Sequence, residues 1–285
     1  MSTRHYVLEQ LKRADREGQC LHFQNGTACD EIINAHSVQN AGQWKRLAES
    51  GYVYRFSADF SSLARSGGKP AIKKIGMNQA TTFRGFCKHH DNELFRPIDT
   101  SPFTASKTHA ALYAYRSLCR EVFVKTKAVD VSSSILEAGN LTEKSARQIR
   151  SHRMGSSIGL EMLHWHKRRF DDALESSSFD EFEYLSFASD SDCNVQLSGV
   201  LFPDYGFDGR LIQNLDDLGR GMYLITFFTA PTSTGWSFTF CWHVSSHDVC
   251  ARFVDSFANA IRSGGRPQDI LLRLVIKCCE NHAIR

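Results

Sequence analysis

The sequence lacks any run of 18 consecutive apolar residues, and the segment 1–19 carries Arg4, Lys12, Arg13 and Arg16 where a secretory signal would have an apolar core. These absences remove the usual signatures of a membrane-spanning helix and of export. We therefore expect a soluble, cytoplasmic protein that does not act at a membrane. No internal repeat is evident either, which argues against a repeat architecture.

Cysteines are too few and too scattered for a disulfide framework. The chain has nine of them, an odd number, spread over 285 residues. That usage fits reduced thiols and metal ligands better than the dense cross-linking of a small secreted domain. With 42% hydrophobic residues, the chain can bury the core of one large domain or of two modest ones.

The charge of the chain is unevenly distributed. Residues 1–127 contain 19 Lys/Arg against 11 Asp/Glu, whereas residues 128–285 contain 15 against 20. A basic first half suits a polyanionic partner, because neutralised phosphates release counterions and give affinity that does not depend on sequence. Ordinary variation in surface charge is the alternative explanation.

Short elements are predicted in the first hundred residues. Leu8 to Arg16 has the pattern of a short amphipathic helix, and Glu31 to His36 and Tyr52 to Phe56 are typical of strands. A helical turn is expected around Trp44 to Glu49. Gly67, Gly68 and Pro70 mark the segment Arg65 to Lys74 as a basic loop.

Longer elements follow. Helical spacing of apolar residues predicts two long helices, Ser106 to Lys125 and Leu141 to Leu174, that pack together. A Ser-rich acidic break at Glu175 to Asp180 precedes runs of aromatic and β-branched residues typical of antiparallel strands. The expected strands are Tyr184 to Phe187, Val195 to Phe202, Met222 to Phe228 and Trp236 to His243, and the expected closing helices are Asp248 to Arg262 and Pro267 to Asn281.

The predicted fold class is α+β. Residues 1–103 would form a zinc-binding module, residues 104–175 a helical region, and residues 176–285 an α+β domain with an antiparallel sheet. The aromatic-rich last domain has no catalytic signature that we can assign. It is expected to recognise a protein partner or a ligand, or to bury an oligomer interface.

Four residues have the chemistry and the spacing of a zinc site. Cys20-x8-Cys29 and, far downstream, Cys87-x2-His90 supply two pairs of ligands, which is what tetrahedral zinc requires. A segment with few core residues also needs such a cross-link for stability. The alternatives are that the cysteines are buried apolar residues, or that a neighbouring imidazole, His22 or His89, is a ligand instead.

The same segment resembles the HNH endonuclease motif. Cys20 and Cys29 precede Glu31-Ile-Ile-Asn-Ala-His36, and Phe86-Cys87-Lys88-His89-His90-Asp91 follows downstream. In HNH proteins a cysteine pair precedes a strand that ends in His, and a helix opens with the second ligand pair. A group of bacterial proteins with Ala-His-Ser-x-Gln and Phe-Cys-x-x-His-Asp-x-x-Leu-Phe is similar over the same residues. The HNH resemblance covers residues 20–95 and implies a zinc-stapled ββα module.

The resemblance implies roles for individual residues. His36 would be the general base that activates water, and a divalent ion, Mg²⁺ or Mn²⁺, would stabilise the scissile phosphate. Asp91 stands where the family usually has His or Asn, and a carboxylate is a competent ligand for either ion. Asn92 can share that ion. Asn40 and Asn78 both remain candidates for the middle polar residue of the motif.

Nucleic acid, most simply DNA, is the partner that these features predict. The cations expected to hold phosphates are Lys69, Lys73, Lys74, Arg84 and Lys88, with further basic residues on the second long helix. The favoured hypothesis is a DNA endonuclease, for which phage defence is a role by analogy only. The alternative is a zinc-stapled nucleic-acid-binding or sensor protein without hydrolytic activity.

Overall fold

The computed structural model describes residues 6, 9–10, 13–14, 16–38, 47–57, 69, 71–139, 141–191, 194–217 and 221–285. They form two compact units, each assembled from separate stretches of chain. The hairpin unit comprises residues 1–35, 83–94 and 118–177. The sheet unit comprises residues 36–82, 95–117 and 178–285. The mixed α+β class expected from the sequence is confirmed, while the three consecutive domains remain a prediction.

A small sheet and a helix carry the Cys/His segment. Strand β1 (Ile32–His36) pairs with β4 (Thr82–Cys87) in a two-stranded sheet, and helix α1 (Lys88–Asp99) begins at the residue after β4. The backbone N–H of Lys88 donates to the carbonyl oxygen of Glu31 at 2.8 Å, which aligns the helix start with the start of β1. A two-stranded sheet is only marginally stable by itself, so this region depends on additional cross-links.

Two long helices, α2 (Lys107–Glu137) and α3 (Glu143–Ser176), follow. Residues 118–137 of α2 and all of α3 make up most of the hairpin unit, while residues 107–117 belong to the sheet unit. The two helices run antiparallel, with Ser132 Oγ 3.4 Å from His152 Nδ1. The start of α3 is fixed by Thr142, whose hydroxyl accepts a hydrogen bond from the backbone N–H of Ser145 at 3.2 Å. The two long helices predicted from periodicity, and their contact with each other, are confirmed, although α2 continues past the predicted end at Lys125 to Glu137.

The first residues are described in part. Of the predicted helix Leu8 to Arg16, the described residues Glu9, Gln10, Arg13, Ala14 and Arg16 are helical. Within the described part of the chain, no helix has both the length and the apolar character needed to span a bilayer.

Seven strands form an antiparallel sheet in the sheet unit. Their order across the sheet is β3-β2-β9-β6-β7-β8-β5, and every neighbouring pair is antiparallel. The strands are β2 (Tyr52–Ser57), β3 (Ala71–Gly76), β5 (Phe182–Ser189), β6 (Val195–Leu201), β7 (Ile225–Pro231), β8 (Trp236–His243) and β9 (His282–Ile284). Helices α4 (His247–Arg262) and α5 (Pro267–Cys278) precede β9.

Both faces of the central strands are covered. On one face, aromatic side chains of β7 and β8 pack against α4, with the rings of Phe240 and Phe257 5.2 Å apart. On the other face, Phe228 stacks on Tyr113 of α2 with a centroid separation of 4.8 Å. Phe227 and Phe228 point to opposite faces of the sheet, and both are buried. The aromatic residues of these strands therefore contribute to the core on both faces of the sheet.

Strand β9 joins the early strands to the later ones. It lies between β2 and β6, and Ala283 packs with Val53 in a small apolar cluster. Immediately before it, Asn281 Nδ2 donates to Ser37 Oγ at 2.8 Å and to Ser198 Oγ at 2.7 Å. Asn281, Ser37 and Ser198 are all buried and cannot reach water. The amide of Asn281 therefore supplies hydrogen bonds that solvent cannot provide to the two hydroxyls.

Several sequence-based expectations need correction. The segment predicted as a basic loop is in part a strand, because residues 71–76 pair with β2 in full register; residues 65–68 and 70 lie outside the described part. The last helix ends at Cys278, and residues 282–284 form a strand that the sequence did not predict. Around Trp44 to Glu49, only Leu47 and the residues after it are described.

We predict that Asn281→Ala lowers the free energy of unfolding by about 1–3 kcal/mol, because it leaves the buried hydroxyls of Ser37 and Ser198 without their donor. Urea denaturation followed by circular dichroism measures the effect. Asn259→Ala, the same change at an exposed position of α4, is the control and should shift stability by less than about 0.5 kcal/mol. Equal effects of the two changes would contradict this account.

Candidate metal centre

Two segments of the hairpin unit bring the four expected ligands together. Cys20 and Cys29 flank a turn-rich segment before β1, Cys87 ends β4, and His90 lies in the first turn of α1. The first segment lies against β4, since Gln19 and Leu21 donate backbone hydrogen bonds to it at 3.0 and 2.9 Å.

Gly18 permits this close approach of the two backbones. A Cβ at this position would lie 2.5 Å from the Ile32 side chain and 2.8 Å from the carbonyl oxygen of Arg84, closer than atoms can pack. Only glycine fits there, which is the physical reason for a glycine two residues before Cys20.

The ligand atoms form a compact cluster. The Sγ atoms of Cys20, Cys29 and Cys87 lie 3.4, 3.5 and 3.3 Å from Nδ1 of His90. All four ligand atoms are within 4.8 Å of one another. In tetrahedral zinc sites, Zn–S bonds of about 2.3 Å and Zn–N bonds of about 2.0 Å separate S from N by about 3.5 Å. The cluster can therefore hold one metal ion such as zinc, as the spacing predicted.

The surroundings favour a bound cation. Burial raises the pKa of the Cys20 thiol to about 11 in the absence of a metal, so the thiolate form at this position requires a positive charge nearby. Backbone N–H groups of Gly26 and His90 lie 3.4 and 3.5 Å from the Sγ atoms of Cys29 and Cys87. Cys87 also precedes the N-terminus of α1, where the helix dipole favours negative charge.

The two rival histidines lie beside the cluster and have other contacts. His22 stacks on His90 with ring centroids 4.0 Å apart, and its Nδ1 accepts the backbone N–H of Gln24 at 3.1 Å. Burial, followed by the neighbouring His90, lowers the pKa of His22 to about 4, so this ring is neutral at pH 7. His89 is exposed. His22 thus supports the ligand histidine by packing against its face.

Asp30 is a supporting residue that the sequence analysis missed. Its carboxylate accepts the backbone N–H of His89 at 2.9 Å, within the first turn of α1, and this bond lowers the pKa of Asp30. A carboxylate at a helix start also interacts favourably with the dipole. Acidic residues are common helix caps. Asp30, however, is 59 residues away in sequence from its partner His89, so no local pattern predicts the contact.

His36, the residue expected to be the general base, ends β1 and belongs to the sheet unit. Its Nε2 is buried and has no hydrogen-bond partner among the described residues. Burial lowers the pKa of His36, the Arg116 guanidinium lowers it further, and Asp99 acts in the opposite sense. Arg116 is itself buried, forms a bidentate pair with Asp99 at 2.8 and 2.6 Å, and stacks on Phe95. No local pattern in the sequence predicts this ion pair, because its two residues lie on different helices.

The other expected catalytic residues are in different places. Asp91 is half-buried in the first turn of α1, and Asn92 beside it is exposed; both belong to the hairpin unit. Asn78 is exposed in a short 3-10 turn of the sheet unit, and Asn40 lies outside the described residues. Among the residues that the structure describes, no second group of three or more metal-ligating side chains accompanies them.

The expected phosphate-binding cations are divided between the units. Lys69, Lys73 and Lys74 belong to the sheet unit, and Arg84 and Lys88 to the hairpin unit. Lys69, Lys74 and Lys88 are exposed, and the Nζ of Lys74 lies 4.4 Å from the centre of the Tyr52 ring. Arg84 turns towards β1, where its Nη2 donates to the carbonyl oxygen of Ile32 at 3.4 Å.

Comparisons of the chain with models of protein families, with curated proteins and with solved structures found no significant match. The function must therefore be argued from the residues and the geometry described above.

We predict that the purified protein holds about one zinc per chain, and that Cys87→Ala loses the zinc together with much of the stability of the hairpin unit, because metal binding contributes to folding. Elemental analysis and thermal unfolding measure the two effects. Cys119→Ala, at another buried cysteine outside the cluster, is the control and should retain the metal. A folded wild-type protein without zinc would refute the assignment.

Proposed function

We propose that this chain is a metal-dependent endonuclease that hydrolyses DNA phosphodiester bonds, with His36 as the general base and a divalent ion near Asp91. The observation that carries the proposal is the order of its elements. β1 ends at His36, its partner β4 ends at the zinc-type ligand Cys87, and α1 begins at the next residue. β2 and β3 of the other sheet lie between β1 and β4 in the chain, but a strand pair followed directly by a helix is what the HNH resemblance implies.

The neutral state of the His36 imidazole supports its role as the general base. Because burial and Arg116 lower its pKa, the imidazole is neutral at pH 7, and a neutral ring nitrogen can take a proton from water. Buried ring nitrogens normally have a hydrogen-bond partner, and Nε2 of His36 has none among the described residues. An unsatisfied buried nitrogen of this kind is often explained by a functional role.

The two metals would have different tasks. Zinc on the cluster of three cysteines and His90 would hold the fold and take no part in the reaction. Asp91 would hold Mg²⁺ or Mn²⁺, which supplies charge stabilisation at the scissile phosphate. Such ions are commonly bound by one or two carboxylates together with water and substrate phosphates, so a group of three or more protein ligands is not needed.

A second function has its own support. A zinc-stapled nucleic-acid-binding or sensor protein without hydrolytic activity is favoured by the complete burial of His36 Nε2, since a general base must meet water. Asp91, where HNH proteins usually have His or Asn, points the same way. Both functions share the zinc cluster and the binding of nucleic acid.

We predict that binding to duplex DNA weakens steeply with salt. If all five expected cations contact phosphates, affinity should fall by about 500-fold between 50 and 200 mM salt. Fluorescence anisotropy with a labelled duplex measures it. Replacing Lys73 and Lys74 by Gln should reduce the slope of log K against log salt by about 1.8. Lys277→Gln, an exposed lysine of α5, is the matched control. An affinity for DNA that does not change with salt concentration would rule out the electrostatic account.

We predict that His36→Ala lowers the rate of DNA cleavage in Mg²⁺ or Mn²⁺ by about 100-fold or more, the scale of losing a general base, while zinc content and DNA binding are retained. Asp91→Ala should behave in the same way, because it removes an ion ligand without opening the zinc cluster. Cleavage of a supercoiled plasmid gives the rates. His164→Ala, an exposed histidine on α3, is the matched control.

The outcomes separate the two functions. Equal cleavage by wild type and His36→Ala would refute the assignment of the base. DNA binding by a zinc-loaded wild type that cuts neither DNA nor RNA in either ion would support the non-catalytic function. If His36→Ala unfolds, His36→Gln is the substitute. It keeps a polar side chain of similar size and still removes the basic ring nitrogen.

A further inference from the structure

A mixed aromatic and basic surface lies on one face of β2 and β3, at one edge of the large sheet. Residues directly opposite each other on paired strands share a face, and here Tyr54 lies opposite Lys74 and Phe56 opposite Ile72. Tyr52 belongs to the same face, because side chains two residues apart on a strand point the same way. We call Tyr52, Tyr54, Ile72 and Lys74 the aromatic face.

The aromatic face is accessible to a partner. Tyr52 is 46% exposed and Ile72 is 61% exposed. Lys74 is exposed as well, and Tyr54 is half-buried. One exposed apolar side chain is ordinary, but neighbours on a single face form a contiguous patch of the kind that binds partners. The two tyrosines lie about 7 Å apart along β2, so each ring can contact a different group of a ligand.

A cation already lies over one of these rings. The Nζ of Lys74 is 4.4 Å from the centre of the Tyr52 ring. A cation–π contact at an exposed site is weak, so the ammonium can turn to a phosphate without a large loss. The ring and the lysine can therefore engage a base and the phosphate next to it.

The sequence around the aromatic face is basic. Residues 36–82, the first stretch of the sheet unit, contain seven Lys/Arg and two Asp/Glu. One of the two acidic residues, Glu49, is paired with Arg285 at 3.2 Å. The other, Asp59, lies outside the described residues, but the count includes it, so the excess of positive charge holds wherever it lies. Such an excess favours a polyanionic partner.

Exposed rings and a cation on one face favour a single strand over other polyanions. In a duplex the bases stack on one another, so their faces are closed to a ring of the protein. In a single strand the bases are free to stack on aromatic side chains while lysines hold the phosphates. An acidic protein would be attracted to the lysines but would have no base to place on the rings.

We propose that the aromatic face binds single-stranded nucleic acid, with bases stacked on Tyr52 and Tyr54 and a phosphate held by Lys74. The inference rests on the proposed function, because it names the form of nucleic acid that the nuclease, or its non-catalytic alternative, would hold. All residues of the face belong to the sheet unit, so the inference depends on no particular arrangement of the two units.

Fluorescence anisotropy on the zinc-loaded full chain, without Mg²⁺ or Mn²⁺, tests the proposal with three labelled probes. They are oligo(dT) of about 15 nucleotides, a DNA duplex of the same length, and poly-glutamate. We expect oligo(dT) to bind more tightly than the duplex by about 5-fold or more, because only the single strand offers free bases for stacking. Poly-glutamate, which has charge but no bases, should bind more weakly than oligo(dT) by at least about the same factor.

Four variants locate the site. Tyr52→Leu should weaken oligo(dT) binding by about 5-fold or more, the effect of losing one base–aromatic stack, and should leave duplex binding unchanged. Tyr52→Phe keeps the ring and should bind oligo(dT) as the wild type does. Lys74→Gln should reduce the slope of log K against log salt for oligo(dT) by about 0.7, the value for one phosphate of a single strand. Tyr205→Leu, at a tyrosine of the same unit that is 47% exposed, is the matched control and should keep wild-type binding.

The outcomes separate this inference from the proposed function. A duplex that binds at least as tightly as oligo(dT) would overturn the inference and leave the proposed function standing, whereas binding of neither would overturn both. Undiminished oligo(dT) binding by Tyr52→Leu, or equal losses in Tyr52→Leu and Tyr205→Leu, would place the single strand elsewhere and overturn the inference. Poly-glutamate that binds as tightly as oligo(dT) would overturn it in favour of an acidic protein. Circular dichroism establishes that the variants fold, which the exposure of Tyr52 leads us to expect.

Discussion

The contact on which the hairpin unit depends is the convergence of three sulfur atoms on Nδ1 of His90. The small sheet beneath it has only two strands, which contribute little stability without a cross-link. Buried thiols also resist ionisation, as the raised pKa of Cys20 indicates. A bound cation would resolve both problems, since it would stabilise the thiolates and fix the start of α1. Gly18, Asp30 and His22 are best understood as supports for that arrangement.

Local patterns in the sequence were enough for α2, α3, α4, the central strands and the four candidate ligands. The helix α1 was expected only from the HNH resemblance, and α5 ends three residues before its predicted end at Asn281. Helical periodicity placed α2 and α3, and aromatic runs placed β5 to β8, because each pattern reflects burial within one element. Such patterns do not predict the pairing of strands that are distant in sequence. The β2–β3 hairpin joins the sheet of the C-terminal strands, and the glycines and proline before β3 suggested a loop instead. Strand β9, three residues long, gives almost no signal of its own.

The candidate site divides in the same way. Spacing led to Cys20, Cys29, Cys87 and His90, but only the fold separates His90 from His22, whose Nδ1 is occupied by the backbone of Gln24. The setting of His36 was not predictable, because the Arg116–Asp99 pair comes from two helices. Burial, and after it the Arg116 guanidinium, lowers the pKa of His36, whereas Asp99 acts in the opposite sense. The neutral imidazole that results is the state required of either a base or a ligand.

The place of β9 in the sheet bears on how the protein folds as it leaves the ribosome. The ring of His282 accepts the backbone N–H of Phe56, a residue 226 positions earlier, and β9 separates the β2–β3 hairpin from β6. The early hairpin therefore cannot reach its final neighbours until translation has passed residue 284. Such non-local pairing is slow and leaves strand edges exposed in the meantime. Until β9 is in place, the unpaired edge of β2 can pair with other chains.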